Sequence, residues 1–206
     1  MKCVLLCNGE IPDNEKFWQQ VKDADLFICA DGGANSAKKL GIEPDVIIGD
    51  YDSVLQTTLD AFSNSKLIKI EEQDSTDFEK ALEYLLKQNA THVDIWGASG
   101  HRIDHTMGNL SSLVRYSRQF KAYFHSNNST TFLLPYDFEQ KFKLGQTISL
   151  LPVPKADFIV TKGLKWELNS ETLELGKRVG TLNKVSEELV KIYYQSGNLF
   201  LMKVWE

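Results

Sequence analysis

The sequence predicts an α/β fold, with an N-terminal, mostly parallel sheet covered by helices and a smaller, sandwich-like antiparallel β domain at the C-terminus. Short apolar runs alternate with helical patterns in the first part, which is the order expected of parallel strands joined by helices. The runs are apolar along their whole length, as burial on both faces requires. After residue 126, alternating segments and turn glycines replace the helical patterns. We therefore predict two domains, residues 1–126 and 127–206.

The predicted strands of the first domain are its apolar runs. In chain order they are Cys3–Cys7, Leu26–Ala30, Asp45–Ile48, Lys66–Ile70, His92–Trp96 and Ala122–Phe124. Between the fourth and fifth runs, apolar residues recur at the spacing of one helical face. These residues are Phe78, Ala81, Leu82, Leu85 and Leu86. A second helix is marked by Met107, Leu110, Leu113 and Val114.

The second domain contains segments with the alternation of half-buried strands. They are Thr147–Leu151, Phe158–Thr161, Leu189–Tyr194 and Leu199–Trp205. Ser196-Gly197 lies between the last two segments and predicts a hairpin turn. Since no helix-length periodicity occurs in this part, we expect a small antiparallel sandwich or curled sheet.

Composition and charge narrow the class of protein. The chain of 206 residues carries 23 basic and 28 acidic residues, a net charge of −5, so it lacks the basic footprint of a nucleic-acid-binding protein. Its apolar runs are far shorter than the about 20 residues of a membrane span, and its N-terminus turns polar too early for a signal peptide. We expect a cytoplasmic protein with no nucleic-acid or membrane partner. The three cysteines are interpreted as buried apolar residues.

Polar clusters follow four of the predicted strands, at the edge where parallel sheets bind ligands. They are Asp31-Gly32-Gly33-Ala34-Asn35, Gly49-Asp50-Tyr51-Asp52-Ser53, Gln73-Asp74-Ser75-Thr76-Asp77 and Gly97-Ala98-Ser99-Gly100-His101-Arg102-Ile103-Asp104. Some members could simply cap helices; these are Asp31, Ser53, Thr76 and Asp104. Four such clusters at one edge favour a binding site instead.

Asp50 and Asp52 predict a metal site. Two carboxylates beside one strand end repel each other unless a cation lies between them, and Mg²⁺ prefers carboxylates together with phosphate oxygens and water. Asp77, at the start of the predicted helix, could supply a third oxygen. Gly97–Gly100, followed by Arg102, suits a phosphate, because glycines let backbone N–H groups approach its oxygens and arginine adds charge-assisted hydrogen bonds.

Missing motifs exclude several enzyme classes. The sequence contains no P-loop, no dinucleotide-binding glycine pattern, no nucleophile elbow and no protein-kinase signature set. His101 and His105 have the spacing of a zinc pair, but their glycine-rich context and the lack of a third ligand disfavour zinc. The residues alone therefore indicate a Mg²⁺-dependent enzyme that acts on phosphates.

The four polar clusters, extended to Lys80 and to His105, resemble in order the motifs of the thiamin pyrophosphokinase family. Gly163–Trp166 and Asn183 resemble the C-terminal part of that family, so the resemblance spans nearly the whole chain. It implies an α/β domain that binds ATP and Mg²⁺, a β domain for thiamine binding and dimerisation, and a homodimer with sites between protomers. The implied reaction transfers the β,γ-diphosphate of ATP to the hydroxyl of thiamine and releases AMP.

The resemblance also implies roles for single residues. The expected Mg²⁺ ligands are Asp50, Asp52 and Asp77. The residues expected at the reacting region are Gln73, Asp74, Asp77 and Arg102. Those expected to bind ATP are Asp31, Asn35, Thr76, Gly100, Arg102 and Asp104. The residues expected to contact thiamine are Thr181, Asn183 and Trp166, although a tryptophan in this position could also belong to the core.

Some positions depart from the usual pattern of the family. Tyr51 replaces a phenylalanine, and His101 replaces a second glycine before the arginine. Gly180 and Leu182 stand where serines normally accompany the asparagine. The last departure removes hydroxyls that could hydrogen-bond to the pyrimidine of thiamine, and it leaves the ATP site unaffected.

Two other functions remain possible. Val46–Ser53 resembles the strand and Asp-x-Asp motif of haloacid-dehalogenase phosphatases, in which Asp50 would be the nucleophile and Asp52 the acid–base group. The two strands predicted before this motif, and the other polar clusters, argue against it. The second alternative is a thiamine- or nucleotide-binding module without turnover, which the altered loop at Gly180–Leu182 would favour.

Overall fold

The computed structural model describes residues 1–205, which divide into two compact units, the first from Met1 to Asn127 and the second from Asn128 onward. No helix among the described residues is both long and apolar enough to cross a membrane. Cys3, Cys7 and Cys29 lie buried with free thiols, as predicted. Burial raises the pKa of each thiol.

The first unit alternates strands and helices. Its strands are β1 (Lys2–Leu6), β2 (Leu26–Ala30), β3 (Val46–Gly49), β4 (Lys66–Lys69), β5 (His92–Trp96) and β6 (Lys121–His125). Its helices are α1 (Glu15–Asp23), α2 (Gly33–Leu40), α3 (Gln56–Leu59), α4 (Asp77–Lys87) and α5 (Ile103–Tyr116). The predicted α/β class is confirmed, and each predicted strand of this part overlaps an observed one.

The strands of the first unit form a sheet in the order β4-β3-β2-β1-β5-β6. Its neighbouring strands are parallel, so their carboxyl ends meet at one edge. The chain order reverses between β1 and β5, which makes this the switch point where open parallel sheets bind ligands. The four polar clusters singled out in the sequence follow β2, β3, β4 and β5, and they therefore lie along the same edge.

The sheet is buried on both faces except at its edge strand. Each of β1, β2, β3 and β5 carries four buried residues, and a fully buried Val, Leu or Ile contributes about 1.5–3 kcal/mol. In β4, by contrast, Leu67 is exposed and Ile68 is half-buried, because this strand has a neighbour on one side only. The prediction of burial on both faces is therefore wrong for β4.

The helix α4 begins with a capping box. Thr76 Oγ1 accepts a hydrogen bond from Glu79 N at 3.2 Å, and Glu79 Oε2 accepts one from Thr76 N at 3.1 Å. The pair satisfies two backbone donors that have no partner within the helix. The predicted apolar face of this helix is buried at Phe78, Ala81, Leu82 and Leu85.

The predicted apolar face of α5 is only partly buried. Leu113 is fully enclosed, but Met107, nearer the start of the helix, is 61% exposed. A polar contact supports the middle of the helix instead, because Asn109 Nδ2 donates to Ala98 O at 2.8 Å. The first turns of α5 thus depend on the loop after β5 rather than on the apolar core.

The second unit is built from antiparallel strands, as predicted. They are β7 (Ser129–Leu133), β8 (Asp137–Lys141), β9 (Thr147–Lys162), β10 (Asn169–Glu174), β11 (Gly180–Lys184), β12 (Leu189–Tyr193) and β13 (Ser196–Val204). The main order is β7-β13-β9-β12-β8, and β10 and β11 also pair with β9. The long β9 joins two segments that the sequence predicts as separate strands, and it is the strand that most others of this unit contact.

The hairpin predicted at Ser196-Gly197 is wrong. β12 pairs with β8 and β9, whereas β13 pairs with β7 and β9. Ser196 and Gly197 belong to β13 and lie opposite Asp157 and Ala156 of β9. Glycine is needed there for a close approach of two strands, since a Cβ at Gly197 would lie 2.1 Å from Lys155 O.

A hydrogen-bonded network joins α1 to β5 and β6 in the first unit. Asp94 Oδ1 is 2.6 Å from His125 Nε2, and Asp94 Oδ2 is 2.9 Å from His92 Nε2. Gln20 Nε2 lies 3.3 Å from His125 Nε2, and Gln20 Oε1 accepts from Trp96 Nε1 at 2.8 Å. Burial by itself would raise the pKa of Asp94, but hydrogen bonds from His125 and His92 outweigh it and lower the pKa to about 2.

We predict that Asp94 stabilises the fold at neutral pH and loses this effect as the pH falls from about 4 toward 2. Its folded pKa of about 2 lies below the usual 3.8, so the unfolded chain takes up the proton first. Relative to Asp94→Asn, the wild-type advantage in free energy of unfolding should shrink by about 1 kcal/mol between pH 6 and pH 3. Urea titrations measure it, with the exposed Asp137→Asn as control. An advantage that does not change with pH would contradict the prediction.

Candidate active site

Three carboxylates converge at the carboxyl edge of the parallel sheet. Asp31 directly follows β2, Asp50 follows β3, and Asp77 is the first residue of α4, which follows β4. The ligand oxygens of the three side chains all lie within 4.8 Å of one another. We call these residues the aspartate cluster. Negative charges at this separation repel each other, so the surrounding chain has to compensate them.

Asp31 is the most enclosed member of the aspartate cluster. It is 5% exposed, and its Oδ1 has no hydrogen-bond partner among the described residues. Burial and the nearby charges of Asp77 and Asp52 raise its pKa, while the N–H of Gly32 and the hydroxyl of Ser53 oppose this shift. A buried polar atom without a partner costs free energy, and a bound cation would satisfy this one.

Asp50 is hydrogen-bonded on both of its oxygens. Gln73 Nε2 donates to Oδ2 at 3.0 Å, and the backbone N–H of Asp52 donates to Oδ1 at 3.1 Å. These hydrogen bonds favour the charged carboxylate and lower the pKa of Asp50. Gln73, which the family resemblance places at the reacting region, therefore contacts the aspartate cluster.

A buried lysine accompanies the three carboxylates. Lys80 is 4% exposed, and its Nζ lies 3.2 Å from Asp77 Oδ1. A buried ammonium needs an anionic partner, and this one offsets part of the negative charge of the cluster. Sequence reasoning missed Lys80 because helical lysines are usually exposed. The available signal was its place three residues after Asp77, where side chains of one helix meet.

Gly49 leaves the space that the aspartate cluster needs. A Cβ at this position would lie 2.9 Å from Asp31 Cβ and 3.2 Å from Asp77 Oδ1. Two residues further on, Tyr51 has a φ of 71°, a left-handed conformation that costs a non-glycine residue on the order of 1 kcal/mol. Such strain concentrates at functional sites, so the loop after β3 is shaped by the cluster rather than by local preference.

The oxygens of the aspartate cluster fit a hard divalent cation. Mg²⁺ prefers carboxylate oxygens and keeps water or phosphate oxygens as further ligands. Oδ1 of Asp31, which has no hydrogen-bond partner in the part of the chain that the structure describes, is available as such a ligand. The sequence assigns the metal to Asp50, Asp52 and Asp77, whereas the structure brings Asp31 together with Asp50 and Asp77. Asp52 is exposed and accepts from Ser53 Oγ at 2.8 Å.

The glycine-rich segment after β5 packs against the loop after β1. Gly9 N donates to Gly97 O at 2.6 Å, and Glu10 N donates to Ser99 O at 2.7 Å. A Cβ at Gly100 would lie 2.8 Å from Glu10 Cβ. Close packing of the two loops therefore accounts for these glycines, and phosphate binding by Gly100 stays a prediction.

Arg102 and Asp104 form an exposed ion pair at the start of α5. Nε and Nη2 of Arg102 donate to Oδ1 and Oδ2 of Asp104 at 3.1 and 2.5 Å. These bonds lower the pKa of Asp104 to about 2. The arginine side chain is 65% exposed, so an anion can reach the guanidinium while Asp104 fixes its orientation.

Three further residues predicted for the site are a helix cap, a residue that contacts the loop after β3 and an exposed aspartate. Thr76 caps α4, which is the structural role that the sequence left open for it. Asn35 contacts the loop after β3, donating from Nδ2 to Ser53 O at 2.8 Å and accepting from Leu55 N at 3.1 Å. Asp74 is exposed in the segment that leads into α4.

The residues predicted to contact thiamine lie in the second unit. Asn183 is buried; its Nδ2 donates to Trp166 O at 2.7 Å, and its Oδ1 accepts from Trp166 N at 3.1 Å and from Lys184 N at 2.9 Å. The amide therefore fixes the loop that carries Trp166. Trp166 itself is 54% exposed and outside the core, Lys165 Nζ lies 4.7 Å from its ring centroid, and Thr181 is exposed.

Comparisons with known proteins point to one family. Residues 17–124 match the family described as thiamin pyrophosphokinase, catalytic domain, and residues 136–199 match thiamin pyrophosphokinase, vitamin B1 binding domain. The chain is 30% identical to thiamine pyrophosphokinase 1 of Oryza sativa subsp. japonica over 98% of its own length and 86% of that protein. It is 31% identical to thiamine pyrophosphokinase 1 of Arabidopsis thaliana over 91% and 80% of the two chains.

Solved structures share the fold. Thiamin pyrophosphokinase from Candida albicans matches with a TM-score of 0.87 and 20% identity, covering 100% of this chain and 89% of that one. Thiamine pyrophosphokinase from Bacillus subtilis matches with a TM-score of 0.83 and 20% identity, covering 100% of both chains. At these identities the structural likeness concerns the fold alone.

We predict that Gly49→Ala weakens divalent cation binding. The added methyl group would push Asp31 and Asp77 apart, since its carbon would lie 2.9 Å from Asp31 Cβ, and disturbing the support of metal ligands typically costs about 10–100-fold in affinity. Mn²⁺ titration followed by electron paramagnetic resonance measures the change. Gly108→Ala is the matched control, because nothing lies within 4 Å of a Cβ there. Equal Mn²⁺ affinities of the two variants would contradict the prediction.

Proposed function

The chain belongs to the thiamin pyrophosphokinase family, and we propose that it transfers the β,γ-diphosphate of ATP directly to the hydroxyl of thiamine with the help of Mg²⁺. Membership makes the chain a thiamine diphosphokinase that uses ATP. The metal, the direct transfer and a site between two protomers are our proposals. The observation that carries them is the aspartate cluster, with its unpartnered oxygen on Asp31.

The charges of the aspartate cluster balance once a divalent cation is added. Asp31, Asp50 and Asp77 contribute three negative charges, Lys80 contributes one positive charge, and Mg²⁺ contributes two. When bound, Mg²⁺ supplies electrostatic stabilisation of the phosphate oxygens. We assign Asp31, Asp50 and Asp77 to holding the ion. Asp52, which the family resemblance places among the ligands, is exposed on the same loop, so we assign it to a second Mg²⁺, which would arrive bound to ATP.

Direct diphosphate transfer needs little covalent help from the protein. The hydroxyl oxygen of thiamine forms a bond to the β-phosphorus while the bond from that phosphorus to the α-phosphate oxygen breaks, so that AMP leaves and the hydroxyl proton is released. Positioning and charge neutralisation provide most of the rate enhancement in such reactions. We assign Gln73 to orienting Asp50, to which it donates a hydrogen bond, and the exposed carboxylate of Asp74 to accepting the proton.

We assign the phosphates of ATP to the switch point of the parallel sheet and the strand ends beside it. Arg102 is held by two hydrogen bonds to Asp104, and a guanidinium fixed in this way suits phosphate oxygens. Gly100 lies in the adjoining loop. Asp31 follows β2, which lies on the opposite side of β1 from β5. We assign the β- and γ-phosphates, which are transferred, to the aspartate cluster on that side.

We assign thiamine to the exposed ring of Trp166 in the second unit. Thiamine is a cation, and aromatic faces attract cations; Lys165 Nζ, 4.7 Å from the ring centroid, is consistent with that property. Asn183 would act by holding the Trp166 loop, while the exposed Thr181 offers a hydroxyl. The match of residues 136–199 to a vitamin B1 binding domain supports this assignment.

We propose that the enzyme is a homodimer that pairs through its second unit. Phe158 and Leu182 are 56% and 71% exposed, and both have a left-handed backbone, with φ of 54° and 60°. Large apolar residues that are both strained and exposed are costly for an isolated chain. A partner that covers them would explain their presence and would bring a second copy of the thiamine residues to the site.

A phosphatase mechanism has less support. It would require Asp50 to attack phosphorus, yet both oxygens of Asp50 accept hydrogen bonds from the chain. Hydrogen bonds that stabilise the carboxylate and lower its pKa also reduce its reactivity as a nucleophile. Asp50 is better suited to bind a cation.

We predict that the purified protein, given thiamine, ATP and Mg²⁺, forms AMP and thiamine diphosphate in equal amounts. Asp31→Asn should weaken Mn²⁺ binding without nucleotide by about 10-fold or more and lower turnover, because it removes the buried donor of the aspartate cluster. Asp52→Asn should lower turnover but keep the Mn²⁺ affinity of the free enzyme. Chromatography of the products and Mn²⁺ titration measure these effects.

Other products would overturn parts of this proposal. ADP with thiamine monophosphate would contradict diphosphate transfer, and phosphate without a thiamine product would favour the phosphatase. Ligand binding without turnover would favour a binding module and direct attention to Gly180–Leu182. Loss of Mn²⁺ binding in Asp52→Asn, with binding retained in Asp31→Asn, would reverse the assignment of the metal ligands.

We predict that Trp166→Ala raises KM for thiamine by about 10-fold, on the scale of a lost cation–π contact and its buried area, and leaves KM for ATP nearly unchanged. Steady-state kinetics with each substrate varied measure the two constants. Trp18→Ala is the control, because Trp18 is also exposed, at 45%, but lies on α1. An equal rise of KM for both substrates would contradict the assignment.

Trp166→Ala, mixed with Asp77→Asn, tests whether the site lies between protomers. Asp77→Asn and Trp166→Ala carry their defects in different units, so a mixed dimer would contain one intact site if each site uses both chains. In an equal mixture of the two variants, about half of the dimers are mixed after subunit exchange, and each of them would have one intact site of two. At low thiamine concentration, the mixture should therefore regain about a quarter of wild-type activity. Activity equal to the mean of the two separate variants would show that each site is formed by one chain.

A further inference from the structure

The side chain of Asn35 joins two of the segments that carry the aspartate cluster. Asn35 lies in the first turn of α2, four residues after Asp31. Its Nδ2 donates to Ser53 O at 2.8 Å and its Oδ1 accepts from Leu55 N at 3.1 Å. Both partners are backbone atoms of the loop that follows β3 and carries Asp50. One amide group thus spans from the Asp31 segment to the Asp50 segment.

The loop that Asn35 holds has little regular structure to hold it in place. Between the end of β3 and the start of α3 it forms bends, and Tyr51 within it has a φ of 71°. A strained residue persists only where surrounding contacts determine the backbone around it. The hydrogen bonds to Ser53 O and Leu55 N fix the far end of this loop, beyond Tyr51.

Ser53 links the backbone contact to the carboxylates. Its carbonyl accepts from Asn35, and its hydroxyl donates to Asp52 Oδ1 at 2.8 Å. Asp52 N in turn donates to Asp50 Oδ1 at 3.1 Å. A continuous chain of short contacts therefore runs from the amide of Asn35 to an oxygen of the aspartate cluster.

We propose that Asn35 is a positioning residue that sets the divalent cation affinity of the aspartate cluster by holding the Asp50 loop against the Asp31 segment. This inference rests on the metal site of the proposed function. It revises the expectation that Asn35 binds ATP itself, because the two polar atoms of its side chain are engaged by the chain. Partners that orient metal ligands typically change metal affinity by about 10–100-fold when they are lost.

The chain offers a matched control on the same helix. Lys38, one turn further along α2, donates from Nζ to Thr57 O at 2.6 Å. It joins the same helix to the same stretch of chain, but it does so outside the loop that carries Asp50. Lys38→Ala therefore removes a contact of the same kind without reaching the aspartate cluster.

The experiment compares wild type, Asn35→Ala, Asn35→Asp and Lys38→Ala in two measurements without ATP. Hydrogen exchange followed by mass spectrometry reports the protection of the amides in residues 51–55. Mn²⁺ titration followed by electron paramagnetic resonance reports cation affinity. Asn35→Asp keeps an acceptor for Leu55 N but loses the donor to Ser53 O, so its exchange data separate the two hydrogen bonds. It also provides a second variant for the exchange measurement if Asn35→Ala folds poorly.

We expect Asn35→Ala to speed exchange in residues 51–55 and to weaken Mn²⁺ binding about 10-fold or more, with Lys38→Ala unchanged in both measurements. Asn35→Asp should keep the protection of the Leu55 amide, because its carboxylate still accepts from Leu55 N. In kinetics, Asn35→Ala should need more Mg²⁺ for half-maximal rate and should recover most of its activity at saturating Mg²⁺.

Three results would overturn the inference. Unchanged exchange in Asn35→Ala would show that the amide does not hold the loop. Faster exchange with unchanged Mn²⁺ affinity would show that the loop does not control the cation, and a raised KM for ATP at every Mg²⁺ concentration would return Asn35 to nucleotide binding. Absence of Mn²⁺ binding in wild type would refute the metal site itself, whereas the exchange data would still report on the hydrogen bonds of Asn35.

Discussion

The electrostatic repulsion among Asp31, Asp50 and Asp77 is the constraint on which the rest of the site depends. Three carboxylate oxygens within 4.8 Å of one another are costly wherever water is excluded. The chain lowers this cost with the buried ammonium of Lys80 and with hydrogen bonds to both oxygens of Asp50. It does not remove the cost completely, because Asp31 Oδ1 is left without a partner among the described residues. The remaining deficit is positive charge, which is what a divalent cation supplies.

The parallel sheet is what allows the three carboxylates to meet. Because β2, β3 and β4 are neighbours that run in one direction, residues far apart in the sequence finish at the same edge. β1 separates these strand ends from β5, so the aspartate cluster and Arg102 lie on opposite sides of one strand. A triphosphate is long and anionic. It suits a site in which the carboxylates that would hold a cation lie on one side of β1 and the arginine lies on the other.

Strand positions and the edge that carries the site could be predicted from the sequence, because apolar runs and polar strand ends are local patterns. The approach of Asp31 to Asp50 and Asp77 could not, since it depends on how three separate strand ends meet in the folded sheet. The burial of Lys80 and Asn183 could not be predicted for a related reason. Both are polar residues that look exposed in a sequence and become buried only through partners supplied elsewhere in the fold, Asp77 for one and the backbone of Trp166 for the other.

The ammonium of Lys80 also bears on how the fold would respond to loss of the proposed cation. In a structural zinc domain the metal provides the folding free energy, so a chelator unfolds the chain. Lys80 is part of the polypeptide, and its charge stays beside Asp77 whatever the occupancy of the neighbouring oxygens. Part of the negative charge of the aspartate cluster is therefore balanced even when the proposed cation is absent. On the proposed role of Mg²⁺, removal of the ion would stop turnover and leave a folded protein, and turnover would resume when the ion is returned.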